Sequence, residues 1–213
     1  MKIELDIIKN DKFTVNISYF RRDNPKGVVV VFPGAGYSHM GPCLYYPSGA
    51  LYESGFEILN LEYDFRREQL KDNNIETYAE FYNFLFAGLD QFELPENKVV
   101  LAKSIGTRFI ATGNISAFSK IIWLTPALKD DYVLEAILSN SKKSLNIIGS
   151  KDRFYEQRRI DQLEQAGVKS LIIADADHGL DIDHDLFRSL DNMKTIMTSI
   201  LEFVKDEKRI EIV

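Results

Sequence analysis

Three polar residues far apart in the chain are of the types that acyl transfer needs: Ser104, Asp152 and His178. A serine hydroxyl is a weak nucleophile at neutral pH until an imidazole accepts its proton, and a carboxylate must hold that imidazole in one tautomer. Ser104 ends the apolar run of residues 99–102, and small residues, Ala102 and Gly106, lie two positions to either side. That spacing lets a sharp strand-to-helix turn close. Such a turn lifts the hydroxyl above the sheet edge, next to a helix N-terminus that carries about +0.5 of an elementary charge. A Ser-x-Gly triplet alone carries little information. The buried-strand pattern before it and the helical spacing of Ile105 and Phe109 after it supply the rest.

The partners must come from later loops. Of the three histidines, His39, His178 and His184, only His178 directly follows an apolar run, 171–174, through Asp175-Ala176-Asp177. Loops at the carboxyl ends of parallel strands face a common crevice, so His178 and Ser104 can meet there. His184 is the second choice, and His39 reads as a solvated loop histidine. Asp152 ends the preceding strand pattern, in Gly149-Ser150-Lys151-Asp152. Asp175 and Asp177 are rival carboxylates, but a neighbour in sequence usually points its side chain elsewhere. The small-residue loop Pro33-Gly34-Ala35-Gly36-Tyr37 follows the apolar run 28–32 and allows close backbone approach to a ligand; a plain glycine turn is the other reading. Lys103 and Arg108 flank the serine and read either as an anion clamp or as solvated charge.

These residues need a frame. Alternating apolar and polar residues over 2–8 and 13–20 predict two half-exposed antiparallel strands turned at Asn10-Asp11. Uniformly apolar runs predict buried strands over 28–32, 56–61, 99–102, 120–124, 144–148 and 169–174. Helical spacing falls between them, over 44–52, 78–92, from 105 onward, and over 130–138, 155–166 and 185–204. Residues 62–74 read as a solvated, charged connection. Strands alternating with helices imply a parallel sheet covered on both faces. Between Leu124 and Ser144 there is room for one helix, hence no inserted cap and an open, shallow pocket.

The segment Ala102-Lys103-Ser104-Ile105-Gly106 resembles the nucleophile elbow of the α/β-hydrolase superfamily, with alanine in place of the first glycine. Lys103 to Arg108 further resembles a lid-poor branch, dienelactone hydrolase-like or Tex30-like. Asp177-His178-Gly179 resembles the family's histidine loop, Gly149 to Asp152 its acid-bearing segment, and Ser, Asp, His is the family's chain order. The resemblance implies a single α/β-hydrolase domain over 1–213, mostly parallel, with an N-terminal antiparallel hairpin and no cap domain. It also implies a serine hydrolase of small carboxylic esters or thioesters, with Ser104, Asp152 and His178 as triad. Its oxyanion hole would be formed by Ile105 with Ala35 or Gly36, although many relatives begin that loop with His-Gly where this chain has Pro33-Gly34. The alternative is a non-catalytic interaction protein that keeps the fold.

Composition sets the outer bounds. A chain of 213 residues with 26 lysines and arginines against 32 aspartates and glutamates carries a net charge of −6, which argues against nucleic acid or an anionic membrane as partner. The expected partner is a small acyl substrate. A single cysteine, Cys43, forms no internal disulfide, and the N-terminal residues lack a signal-peptide pattern, so a cytoplasmic location is expected. The acidic run 181–185 reads as a helix entrance rather than a metal site. With no phosphate-loop or dinucleotide pattern, no cofactor or metal is expected.

Overall fold

A computed structural model of the protein describes residues 2–64 and 74–205. Eight strands form one sheet: β1 (Lys2–Lys9), β2 (Thr14–Arg21), β3 (Val28–Phe32), β4 (Glu57–Tyr63), β5 (Lys98–Lys103), β6 (Lys120–Leu124), β7 (Ser144–Gly149) and β8 (Lys169–Ile173). Their spatial order is β1-β2-β4-β3-β5-β6-β7-β8. Strand β2 pairs antiparallel with β1 and β4, and every other pairing is parallel. The β1–β2 hairpin turns where the Asn10 side chain accepts hydrogen bonds from the Lys12 and Phe13 N–H groups.

The helices are α1 (Pro42–Glu53), α2 (Ile75–Leu89), α3 (Ile105–Ala111), α4 (Asp131–Ser139), α5 (Gln157–Gln165) and α6 (Leu186–Lys205). Period-2 alternation in the central strands feeds two cores, one on each face. Val28, Val30, Phe32, Val100 and Ala102 join the core shared with α2 to α5. Val29, Val31, Val99 and Leu101 join the core shared with α1 and α6. Strand β3 therefore has no polar face, as its uniformly apolar sequence requires, and in β5 the run Val99 to Ala102 is likewise buried on both faces, with Lys98 and Lys103 at its ends. Between β6 and β7 lie only α4 and a short 3₁₀ turn, Ser141–Lys143, so no cap covers the sheet edge there.

Several boundaries differ from the sequence reading by one to three residues, and two of them bear on the frame of the site. Helix α2 begins at Ile75 rather than at residue 78, because the Asn74 side chain caps it, accepting from the Glu76 and Thr77 N–H groups. Strand β4 runs on to Tyr63, two residues into the stretch read as solvated connection. The rest of that connection, residues 65–73, lies outside the described residues.

Candidate active site

Strand β5 delivers Ser104 to the sheet edge, and α3 starts at the next residue. The serine holds φ 52° and ψ −114°, a conformation that glycine adopts readily and a side chain rarely does. It is fixed there from several sides. The Ser104 N–H donates to the Leu124 carbonyl at 3.0 Å, and the Ser104 carbonyl accepts from the Thr107 N–H and hydroxyl. Gly106 is required because a Cβ there would stand 2.7 Å from the Phe32 carbonyl oxygen on β3. Helix α3 is short, but Phe109 anchors it in an aromatic cluster with Phe81 (centroids 4.5 Å apart), Tyr63 (5.4 Å) and Tyr78 (5.5 Å).

The β7 and β8 loops bring the other two groups to this point. His178 Nε2 lies 2.9 Å from Ser104 Oγ, and His178 Nδ1 lies 2.8 Å from Asp152 Oδ2. Asp152 is 4% exposed, and its other oxygen accepts from the Phe154 N–H. With both carboxylate oxygens engaged, the imidazole is oriented to place its proton on Nδ1 and its lone pair toward Ser104. Phe154 packs edge-on against the His178 ring. Gly149 serves the same junction: a Cβ would fall 2.2 Å from the Ala176 carbonyl, so glycine lets the histidine loop pass over the aspartate loop.

The rival residues are engaged elsewhere. Asp177 Oδ1 accepts from the Gly179 and Asp181 N–H groups and so shapes its own loop. Asp175 pairs with Lys151 and Arg188. His184 is almost fully exposed beside Asp183. His39 is not solvated as expected: its side chain is 13% exposed and lies 2.9 Å from a Glu62 carboxylate oxygen. The acidic run does lead into a helix, with Asp185 Oδ1 accepting from the Arg188 N–H as the N-cap of α6. Among the described residues no group of three or more His, Cys, Asp or Glu side chains is arranged to hold a metal ion.

The glycine-rich loop 33–37 passes beside the elbow, with a Cβ at Gly34 lying only 3.3 Å from Ser104 Cβ. Ala35 and Gly36 form its exposed turn, closed by a bond from the Tyr37 N–H to the Gly34 carbonyl. Ile105 is the first residue of α3, so its N–H has no acceptor within the helix. Two aromatic residues, Tyr63, which the sequence did not single out, and Tyr37, tie this loop down. Tyr63 donates from its hydroxyl to the Pro33 carbonyl at 2.7 Å while its ring packs on Phe109, which links loop and elbow rigidly. Tyr37 turns inward: its hydroxyl accepts from the Cys43 N–H, and its ring faces Lys103 Nζ at 5.0 Å. Burial pushes the hydroxyls of Tyr63 and Tyr37 well above the ordinary phenol range.

Lys103 is neither an anion clamp nor a solvated charge. It is 2% exposed, and its ammonium donates to the His178 carbonyl at 2.8 Å and the Thr125 hydroxyl at 3.0 Å. Desolvation lowers its pKa, opposed by Cys43 and by the carboxylates of Asp152, Asp177 and Asp181. A lysine inside a buried strand was the available sequence signal, since such a charge must find partners. Cys43 adds a further tie, donating from Sγ to the Gly179 carbonyl; burial raises its pKa, which leaves the thiol inert. Arg108 is paired with Asp130 at 2.7 Å, and its guanidinium lies 5.6 Å from the centre of the Phe154 ring.

No family model and no curated protein matches the sequence. Solved structures do match in fold. The esterase Pf2001 of Pyrococcus furiosus superposes with a TM-score of 0.69 over 96% of this chain and 92% of its own, at 13% identity. The α/β-hydrolase domain-containing protein 10 of mouse gives 0.64 over 94% and 98%, at 11% identity. The chain has the α/β-hydrolase fold. A dienelactone hydrolase from Anabaena variabilis gives 0.62 over 94% and 97%, at 14% identity. Within the α/β-hydrolase fold, the elbow after β5 and the loops after β7 and β8 lie at the carboxyl edge of the sheet, where ligands of open α/β sheets bind.

Proposed function

We propose that the protein is a serine hydrolase of small carboxylic esters or thioesters. The reading is carried by one observation, the hydrogen-bonded chain from Ser104 Oγ through His178 to the buried Asp152. Ser104 Oγ attacks the acyl carbonyl as His178 Nε2 takes its proton, and Asp152 stabilises the imidazolium that forms. The oxyanion is received by the N–H of Ile105 and by one from Ala35 or Gly36. Collapse of the tetrahedral intermediate breaks the bond to the leaving alcohol or thiol, which takes the proton from His178. Water then enters, loses a proton to His178 and attacks the acyl-enzyme; as the bond to Ser104 Oγ breaks and the carboxylic acid leaves, His178 returns that proton to Ser104 Oγ. Esterase names among the fold relatives agree with this reading, and no sequence similarity stands behind them.

A fluorophosphonate probe tests it. The intact protein should gain one adduct on Ser104, and both Ser104→Ala and His178→Ala should abolish labelling while the fold melts normally. Absence of labelling on the folded protein, or an adduct at another serine, would overturn the assignment and favour an α/β-hydrolase fold kept for interaction alone.

A further inference from the structure

Two buried side chains hold the histidine loop from beneath by binding neighbouring carbonyls. Lys103 Nζ donates to the His178 carbonyl at 2.8 Å, and Cys43 Sγ donates to the Gly179 carbonyl at 3.0 Å. A further bond, from Lys103 Nζ to the Thr125 hydroxyl at 3.0 Å, ties the same ammonium to the turn after β6. Lys103 directly precedes Ser104 on the chain, so the side chain of one residue fixes where the base stands relative to the nucleophile beside it.

The surroundings of this ammonium are acidic. Its charge interacts with the Cys43 thiol of α1, with Asp152 after β7 and with Asp177 and Asp181 after β8, while the Tyr37 ring lies against it from the loop after β3. Asp177 and Asp181 belong to the loop that carries His178, and Asp152 is the carboxylate that His178 meets. Once Lys103 loses its charge, the carboxylates of the two loops repel one another across that junction. The bond to the His178 carbonyl weakens at the same time, since a charged donor binds about twice as strongly as a neutral one.

We propose that Lys103 is a positioning residue of the hydrolase site, an inference that rests on that reading: its ammonium draws His178 onto Ser104 and Asp152, and its neutral form releases them. Acylation of Ser104 then has an alkaline limb set by Lys103. A triad in which only the histidine titrates levels off at high pH instead.

The second-order rate of fluorophosphonate labelling at Ser104, followed by intact mass from about pH 6 to about pH 11, tests this without the natural substrate. The parent rate should level off and then fall reversibly, by about 10- to 100-fold, as one proton is lost. The midpoint should lie below the ordinary lysine value of about 10.4, because burial disfavours the charged form. Lys103→Met should label at the low rate throughout the alkaline range, with no limb. Lys103→Arg, whose guanidinium stays charged, should lack the limb as well. Because the larger guanidinium can disturb a buried site, Cys43→Ser serves as companion: its hydroxyl still donates to the Gly179 carbonyl, the thiol is gone, and the limb should remain. A parent rate that stays level or rises, a limb that persists in Lys103→Met, or one that vanishes in Cys43→Ser would overturn the proposal. So would a fall that is not regained on return to neutral pH, which marks unfolding. Each of these results leaves Ser104 as nucleophile, whereas absence of labelling at every pH would overturn the hydrolase reading and this proposal together.

Discussion

The geometry of Ser104 makes an unusual stability order testable. At φ 52° and ψ −114° the residue occupies a region that costs a side chain about 1–3 kcal/mol and glycine almost nothing. Ser104→Ala and Ser104→Gly both delete the hydroxyl and its bond to His178, so that loss cancels between them. What remains is the strain, kept by alanine and released by glycine, set against the extra freedom of glycine in the unfolded chain, about 0.4–1 kcal/mol. The difference leaves the glycine variant more stable than the alanine variant by about 1 kcal/mol. At an ordinary position the order is reversed by a similar amount. For a domain of this size the expected gap is about 2–4 °C in melting temperature. Urea unfolding of the two variants under one condition measures it, since the slope should be shared and only the midpoint should move. An alanine variant as stable as the glycine variant, or more so, would show that the elbow stores no strain.

Asp152→Asn should lower kcat by about 10⁴ with little change in substrate binding, because an amide at this place favours the wrong tautomer of His178. Asp177→Asn should cost far less, its carboxylate being occupied with the Gly179 and Asp181 N–H groups; a reversed pattern in steady-state kinetics would refute the choice of acid. Lys103→Met should reduce kcat by about 10- to 100-fold with KM little changed, through loss of its bond to the His178 carbonyl. The same variant bears on pH: the unfolded chain holds the Lys103 proton more tightly than the folded one, so this group adds stability as pH rises from its lowered folded value to the ordinary lysine value. Denaturant titrations across that alkaline window should show the contribution in the parent and not in Lys103→Met. In p-nitrophenyl ester assays, acetate or butyrate should be turned over at least as well as decanoate in kcat/KM, since each added methylene gains much less than the about 0.8 kcal/mol of full burial; a steep rise with length would refute the open crevice.

What could be read from the sequence follows from how local each signal is. The run of β3 and the stretch 99–102 of β5 announce buried parallel strands because every side chain in them is apolar, and that pattern needs no partner to be seen. The start of α2 was hidden because its cap, Asn74, adjoins a charged stretch whose polarity says nothing of helix. For the candidate site, chain order and loop placement bring Ser104, Asp152 and His178 to one edge, but their distances depend on contacts that sequence does not express. Tyr63 meets Pro33 across 30 positions, and Lys103 meets His178 across 75. Neither residue type carries a signature for such a role. Lys103 was misread because a lysine is solvated in most settings, and only the depth of β5 decides otherwise.

The aromatic residues around the elbow separate two tasks that the sequence left merged. Tyr37, Tyr45 and Tyr46 all lie within or just beyond the loop that follows β3, and the sequence alone leaves room to read them together as an improvised wall over Ser104. Tyr37 is instead committed below the surface, bonded to the Cys43 N–H and stacked near Lys103, where it braces the loop. Tyr45 and Tyr46 remain about half exposed and line a groove between α1 and the face of β2 and β4. The groups that hold the elbow rigid are therefore buried and come from β4, α2 and the β5 lysine, whereas the exposed rings serve another surface. Among the described residues, aromatic side chains brace these loops from beneath: Tyr63 holds Pro33 and packs on Phe109, and Tyr37 holds the Cys43 N–H. On the proposed hydrolase reading, acyl selectivity then rests on side chains beside the three site residues, and Phe154, packed edge-on against His178, is the described aromatic ring that touches one of them.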